Sequence, residues 1–191
     1  MSFAFSYKEI IDIIIITAAL GFIFMMFFTP RRTANEWLAS AQKKNTFWHD
    51  FLFAAALIAP AILLHEFGHK FTAMGFGLSA TFEAAYLFLG IGLVMRLLRF
   101  PFIFFVPAYT SIMGNATVVQ NALIAFAGPG VNLILWIGSL LILKYKRNLS
   151  HNKLQYLALF RQINMFLFIF NMIPIPGFDG YHVFSSLFNL F

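Results

Sequence analysis

Long apolar runs constrain this chain more than any other feature of its sequence. The first, Ile10 to Phe28, is nearly all apolar and long enough to cross a bilayer. Similar runs predict helices over residues 47–72, 120–143 and 154–173. Only 10% of the residues are charged, against about 25% in a soluble domain. We therefore expect an all-α polytopic membrane protein with about four transmembrane helices.

The chain divides into two parts on this pattern. Residues 1–46 are expected to form an N-terminal transmembrane helix and a polar loop, with a short interfacial helix near residues 35–42. Asp12, near the start of the first helix, is expected at the membrane interface, and a buried role is the alternative. Residues 47–191 are expected to form one functional core. No span is long enough for a separate soluble domain.

The region between the second and third helices has no spanning pattern. Residues 78–83 and 100–113 favour strands, and residues 84–95 are apolar but too short to cross, as in a re-entrant or interfacial segment. Irregular backbone at membrane depth is tolerated only against protein or a wet cavity. We therefore expect a strand and re-entrant region that serves as a substrate groove; a plain connecting loop is the alternative.

Composition excludes several kinds of chemistry. Cysteine is absent, so disulfides, cysteine nucleophiles and thiolate metal sites are excluded. The net charge of +6 is spread over short loops, which is typical of membrane-surface charge rather than of a nucleic-acid patch. Any metal ligands must therefore be imidazoles and carboxylates, and we expect a lipid bilayer but no nucleic acid among the partners.

The main chemical motif, H-E-x-x-H, closes the second apolar run. On a helix, His65 and His69 lie one turn apart on one face, so both imidazoles can bind one ion. Zinc suits neutral imidazoles and lowers the pKa of a bound water to about 7. Glu66 is beside the first ligand and can act as the general base. Such groups inside a membrane span usually have a function.

A third ligand is needed, and Asp179 is the best candidate. It is the only acidic residue after Glu83 and follows a Pro- and Gly-rich turn that ends the fourth helix. A catalytic zinc site with two imidazoles typically takes a carboxylate as its third ligand. Asp179 could instead cap the short helix over residues 181–190. His182 is the rival ligand.

Small residues and prolines interrupt two of the predicted helices. Pro60 is expected to kink the second helix five residues before His65. Ala127-Gly128-Pro129-Gly130 is expected to interrupt the third helix near its start, and Asn132 inside that helix can bond across helices.

The motifs together resemble the site-2 protease family of intramembrane zinc metalloproteases. The resemblance is carried by His65-Glu66-x-x-His69, by Gly128-Pro129-x-x-Asn132 and by Asn171-x-x-Pro174-x-Pro176-x-x-Asp179-Gly180. It implies a three-helix catalytic core over residues 51–72, 120–143 and 154–173. His65, His69 and Asp179 would bind one Zn²⁺, and Glu66 would be the catalytic base and acid. Asn171 would hold substrate or the developing oxyanion, and Asn132 is the second candidate substrate-binding residue.

The function expected from the resemblance is hydrolysis of a peptide bond within or near a transmembrane segment of another membrane protein. The protein would be a multi-pass protein of a prokaryotic cell membrane. Two alternatives remain: a zinc-binding relative that binds transmembrane helices without cutting them, and a small metal transporter. Retention of Glu66 argues against the first, and the few ionisable residues within the spans argue against the second.

The orientation in the membrane has two conflicting predictions. Lys and Arg concentrate in the loops 31–46 and 144–153, which the positive-inside rule places in the cytoplasm. The family resemblance implies the opposite orientation, with the His65 end of the second helix nearer the cytoplasm.

Overall fold

The computed structural model describes residues 5–28, 46–100 and 106–189, so the helix predicted over residues 35–42 lies outside the described residues. Within these ranges the chain forms helices joined by a small antiparallel sheet. In chain order the elements are α1 (Tyr7–Phe28), α2 (Thr46–Gly75), β1 (Ser79–Ala84), α3 (Tyr86–Leu97), β2 (Ala108–Met113), α4 (Val118–Tyr145), α5 (His151–Asn171) and α6 (Asp179–Phe188).

The predicted class, a helical membrane protein with a short strand region between its second and third long helices, is confirmed. Among the described residues, α1, α2 and α4 are long and apolar enough to cross a membrane. The helix predicted over residues 154–173 is present as α5, but Arg161, Gln162 and Asn164 make it more polar than these three. That α5 crosses the membrane stays a prediction.

The proline in the third long helix does not break it. The expected interruption at residues 127–130 is wrong, because α4 continues as one helix through Pro129. Pro129 is fully buried, and neighbouring helices enclose that turn of α4. Membrane helices tolerate proline where packing supports the freed backbone carbonyl. Pro60 likewise lies inside the continuous helix α2.

Close helix contacts hold α2 at the centre of the fold, against α1 on one side and α4 on the other. A Cβ added at Gly21 would come within 2.9 Å of the Ala55 Cβ, and one added at Gly68 within 2.7 Å of the Ala127 carbonyl oxygen. Such approaches require small residues at the helix interface. The two glycines therefore set the distances from α2 to α1 and to α4.

The two strands form a two-stranded antiparallel sheet in which Phe82 pairs with Thr110, and α3 lies between them in the chain. The strand prediction between the second and third long helices is thus confirmed. Phe82 is fully buried and packs against Ile16 and Leu20 of α1, and Ile58 of α2, in the main hydrophobic cluster. The sheet is therefore anchored by the core on one face.

Two acidic residues of α1 fix the outer edge of β1. The Glu9 carboxylate accepts a hydrogen bond from the Phe82 amide at 2.7 Å, and Asp12 accepts one from the Ala84 amide at 3.2 Å. Glu9 also forms a buried ion pair with Lys70 of α2. The expectation that Asp12 lies at the interface is wrong: it is 0% exposed, because the unpaired amides of the strand edge need an acceptor.

Asp12 has a second donor on the short helix that follows β1. The Tyr86 hydroxyl donates to the Asp12 carboxylate. This hydrogen bond is the main reason why the pKa of Tyr86 is raised above its ordinary value. The first helix thus holds both β1 and the start of α3.

Candidate metal centre

Helix α2 brings His65 and His69 together as the motif spacing predicts. Their Nε2 atoms lie 3.1 Å apart, and both side chains are buried. The imidazole rings meet edge to face, with centroids 4.8 Å apart. Both Nε2 atoms therefore point into one small volume.

The opposite ring nitrogens define the tautomer of each imidazole. His65 Nδ1 lies 2.6 Å from the Asn132 Oδ1, and His69 Nδ1 lies 2.7 Å from the Ile124 carbonyl oxygen. Both partner atoms can only accept a hydrogen bond, so each Nδ1 carries the proton. Each Nε2 then presents a lone pair to the shared volume, as metal-binding imidazoles do.

Asp179 supplies the carboxylate that faces these two lone pairs. Its Oδ2 lies 3.0 Å from His65 Nε2, and its Oδ1 lies 3.4 Å from His69 Nε2. Asp179 is the first residue of α6, the N-cap residue is Phe178, and no side chain caps this helix terminus. The carboxylate is thus directed at the histidines and not at the helix amides.

The turn between α5 and α6 is shaped to deliver this carboxylate. Gly177 has a φ of +100°, which L side chains rarely adopt. A Cβ at Gly180 would lie 2.4 Å from the Met172 carbonyl carbon, so the start of α6 folds directly onto the end of α5.

This donor set fits a single zinc ion. The ligand atoms of His65, His69 and Asp179 all lie within 4.8 Å of one another. In a tetrahedral site with bonds of about 2.1 Å, ligand atoms are about 3.4 Å apart. Two imidazole lone pairs and a carboxylate repel one another at these distances unless a cation lies between them. Three protein ligands also leave a fourth position open, as in catalytic sites.

Gly128 of α4 forms one wall of the centre. A Cβ at this position would lie 2.2 Å from His69 Nε2 and 2.7 Å from His65 Nε2. Any side chain would therefore occupy the volume shared by the ligands. From the sequence, Gly128 was assigned to a helix interruption and to a motif of the family resemblance, and its position at the ligands was not predicted.

The hydrogen bonds of Glu66 run to β2 and not to the candidate metal ligands. The Thr110 hydroxyl of β2 lies 3.0 Å from Glu66 Oε2 and 3.1 Å from the Glu66 carbonyl oxygen. Thr110 was missed from the sequence, because nothing in the local pattern pairs residues 66 and 110. The hydroxyl orients the carboxylate beside the two imidazoles.

A cavity of about 1050 Å³ opens onto this centre. Its lining includes the three ligands, Glu66, part of β2 and apolar side chains of α1 and α5. Asn171 lines the cavity, as does His182, which does not belong to the convergent ligand group. Asn132 is 0% exposed and is not among the described residues that line the cavity.

The open edge of β2 also faces this region. In an antiparallel ladder, alternate residues direct their amide and carbonyl groups away from the partner strand. Because the Phe82 and Ala84 amides point to α1, their partners Thr110 and Ala108 direct their main-chain groups to the opposite edge. No further strand pairs there within the described ranges.

Comparisons with known proteins agree on one kind of relative. The Methanocaldococcus jannaschii protein named "Putative zinc metalloprotease MJ0611" is 31% identical over 181 residues, which is 93% of this chain and 84% of that protein. "Putative zinc metalloprotease Rip2" of Mycolicibacterium smegmatis is 25% identical over 84% of this chain and 67% of its own length. The Mycobacterium tuberculosis protein of the same name is 32% identical over 63% of this chain and 51% of its own length.

No protein-family model and no solved structure match the chain. The relatives nevertheless support a metalloprotease, and their names agree with the zinc ion that the donor set fits. Because the identity to the M. jannaschii protein extends over most of both chains, this protein belongs to the zinc metalloprotease family that includes MJ0611.

Proposed function

We propose that the protein is an intramembrane endopeptidase of the site-2 protease type, which hydrolyses a peptide bond within or near a transmembrane segment of another membrane protein. The observation that carries this proposal is the position of Glu66. Its carboxylate lines the same cavity as the two imidazoles and the carboxylate that fit one ion, and helices long and apolar enough to span a membrane contribute to the walls of this cavity.

The residues divide the chemistry between them. His65, His69 and Asp179 would hold one zinc ion, which when bound acidifies water and polarises a carbonyl group. The Glu66 carboxylate takes the proton of the attacking water and then delivers it to the leaving amine. Thr110 keeps Glu66 in place for both transfers. Glu66 binds no metal in this scheme, which leaves it free to exchange protons.

The substrate must be extended where it is cut, because a helix shields its own peptide bonds. The free edge of β2 offers main-chain donors and acceptors to an extended segment, which is recognition by strand addition. Asn171 lines the same cavity and would contact the substrate or the developing oxyanion. Its amide nitrogen donates to the Leu167 carbonyl oxygen, which fixes the side chain against α5.

The protein would work as a multi-pass protein in a prokaryotic cell membrane, with α5 as a fourth span. Labelling of single cysteines in the loop between α4 and α5 of intact cells separates the two orientations. Exclusion of a membrane-impermeant reagent from that loop would support the orientation of the charge rule. Labelling from outside would support the orientation of the family resemblance.

The test of function is cleavage of single-helix membrane substrates by purified protein in detergent. Glu66→Gln should lower the rate by at least about 10²-fold while zinc content stays unchanged. A chelator should abolish the wild-type activity. Equal cleavage by wild type and Glu66→Gln would identify a contaminant and remove the mechanism. One bound zinc without cleavage of any substrate would favour the inactive, helix-binding alternative.

A further inference from the structure

We infer that Asn132 and Asn164 are positioning residues for the metal centre, which hold His65 in the tautomer and orientation that bind the ion. This rests on the proposed function only in taking zinc as the ion. It assigns Asn132 a role different from the substrate contact predicted from sequence. The two asparagines would form an outer shell that joins α2, α4 and α5.

The hydrogen bonds of this shell have only one consistent direction. Asn132 Nδ2 donates to the Ala61 carbonyl oxygen and to Asn164 Oδ1, both at 3.0 Å. Asn164 Nδ2 donates to the Phe160 carbonyl oxygen at 2.8 Å. Because the main-chain carbonyls at both ends can only accept, the amide nitrogens must face them and the side-chain oxygens must face the other way.

This direction determines the proton on His65. Asn132 uses both amide hydrogens as a donor, so its Oδ1 is left to accept from His65 Nδ1 at 2.6 Å. His65 must then carry its proton on Nδ1 and present the Nε2 lone pair to the ion. Asn164 acts one step further out by holding the Asn132 amide plane.

Burial makes this arrangement hard to replace. Asn132 and Asn164 are both 0% exposed, so water cannot take over a lost hydrogen bond. His69 is held differently, by the main-chain carbonyl of Ile124. A side-chain substitution can therefore remove the acceptor on His65 but not the one on His69. His65 is the ligand whose orientation depends on other side chains.

The test is the zinc dissociation constant of purified full-length protein, measured by competition with a chelator of known affinity. Asn132→Leu should weaken zinc binding by about 10- to 100-fold, the usual effect of removing an outer partner of a metal-binding histidine. Asn132→Asp keeps an acceptor for His65 Nδ1 but loses both donors to Ala61 and Asn164, so it should be less stable than wild type while binding zinc more tightly than Asn132→Leu. Asn164→Leu should cause a smaller loss than Asn132→Leu.

Ser139→Ala is the matched control on the same helix. Ser139 is also buried, but its hydroxyl donates to the Leu135 carbonyl oxygen of its own helix and contacts no ligand. The control should keep wild-type zinc affinity. If Asn132→Leu does not fold, Asn164→Leu and Asn132→Asp carry the comparison. Nitrogen-15 NMR of histidine-labelled, zinc-loaded protein gives a second readout, in which the His65 Nδ1 signal should be that of a protonated nitrogen.

Two results would overturn the inference. One is wild-type zinc affinity in both Asn132→Leu and Asn164→Leu. The other is an equal loss of affinity in Asn132→Asp and Asn132→Leu, which would mean that shape matters and the acceptor does not. Both are distinct from failure of the proposed function, which would leave wild-type zinc binding intact and show no cleavage.

Discussion

The Thr110 hydroxyl lies 3.0 Å from the Glu66 carboxylate, so β2 contacts α2 at a residue between the two histidines of the candidate metal centre. This contact links the strand that would receive a substrate to the group that would move the protons. It connects two parts of the chain that are 44 residues apart. A substitution in β2 should therefore change the rate of hydrolysis without any change at the candidate metal ligands.

Thr110→Val should lower kcat while zinc content stays at the wild-type level. Valine keeps the shape of threonine but removes a hydrogen bond to a charged group, which is worth about 1.5–3 kcal/mol. The corresponding loss in rate is about tenfold or more. Thr110→Ser keeps the hydroxyl and should retain most activity. Steady-state kinetics with zinc analysis checks this, and equal rates for Thr110→Val and wild type would contradict it.

Gly128→Ala should abolish zinc binding, because the new methyl group would lie 2.2 Å from His69 Nε2. Gly138→Ala is the matched control on α4, since a Cβ there meets nothing within 4 Å. Metal content of the two purified variants gives the answer. Full zinc occupancy in Gly128→Ala would show that α4 can move away from the ligands and that the wall is not rigid.

Breaking the buried ion pair between Glu9 and Lys70 should destabilise the fold strongly. The two side chains are 3% and 2% exposed, and Lys70→Met would leave a carboxylate buried without its cation. A loss of about 3 kcal/mol or more is expected. Glu9→Gln combined with Lys70→Met should recover much of it. Unfolding in detergent is the measurement.

The control for this pair lies one residue earlier in α1. Lys8 and Glu83 are 3.4 Å apart, but their side chains are 63% and 28% exposed. Lys8→Met should therefore change the free energy of unfolding by less than about 1 kcal/mol. Comparable losses from Lys8→Met and Lys70→Met would show that burial does not govern these ion pairs.

Zinc should raise the unfolding temperature of the protein, since it binds the folded ligand set. At a free zinc concentration 100 times the dissociation constant, the gain is about 2.7 kcal/mol. Asp179→Ala should remove most of this gain, because the carboxylate joins α6 to α2. His182→Ala should keep it, because His182 lines the cavity without belonging to the ligand group. Loss of the gain in His182→Ala alone would make His182 the third ligand.

Local sequence patterns predicted the parts of the site that lie within one element. The spacing of His65 and His69 needs only the helical repeat, and a carboxylate isolated among apolar residues pointed to Asp179. The Asn132 contact with His65 spans 67 residues and depends on how α2 and α4 cross. Local sequence patterns do not reveal how the two helices cross. The sequence therefore predicted that Asn132 bonds across helices, but it did not predict the partner residue.

The acidic residues of α1 also depend on contacts between distant parts of the chain, which the local sequence pattern does not reveal. A carboxylate near the end of an apolar run is usually at the interface, which is why Asp12 was expected there. Asp12 is buried because it accepts a hydrogen bond from the Ala84 amide, which lies 72 residues later at a strand edge. The strands themselves were predictable, but the element that would cover their edge was not.

The carboxylates of Glu9 and Asp12 also make the two edges of the sheet differ in their access to an extended chain. A two-stranded sheet has two edges, and either could recruit an extended chain from the surrounding membrane. One edge is occupied by α1, so a guest polypeptide that docks beside β1 would have to displace two buried anions. The other edge belongs to β2, whose Thr110 contacts Glu66. Docking beside β1 is thus disfavoured by the fold itself, and among the described residues the edge without a partner strand is the one next to Glu66.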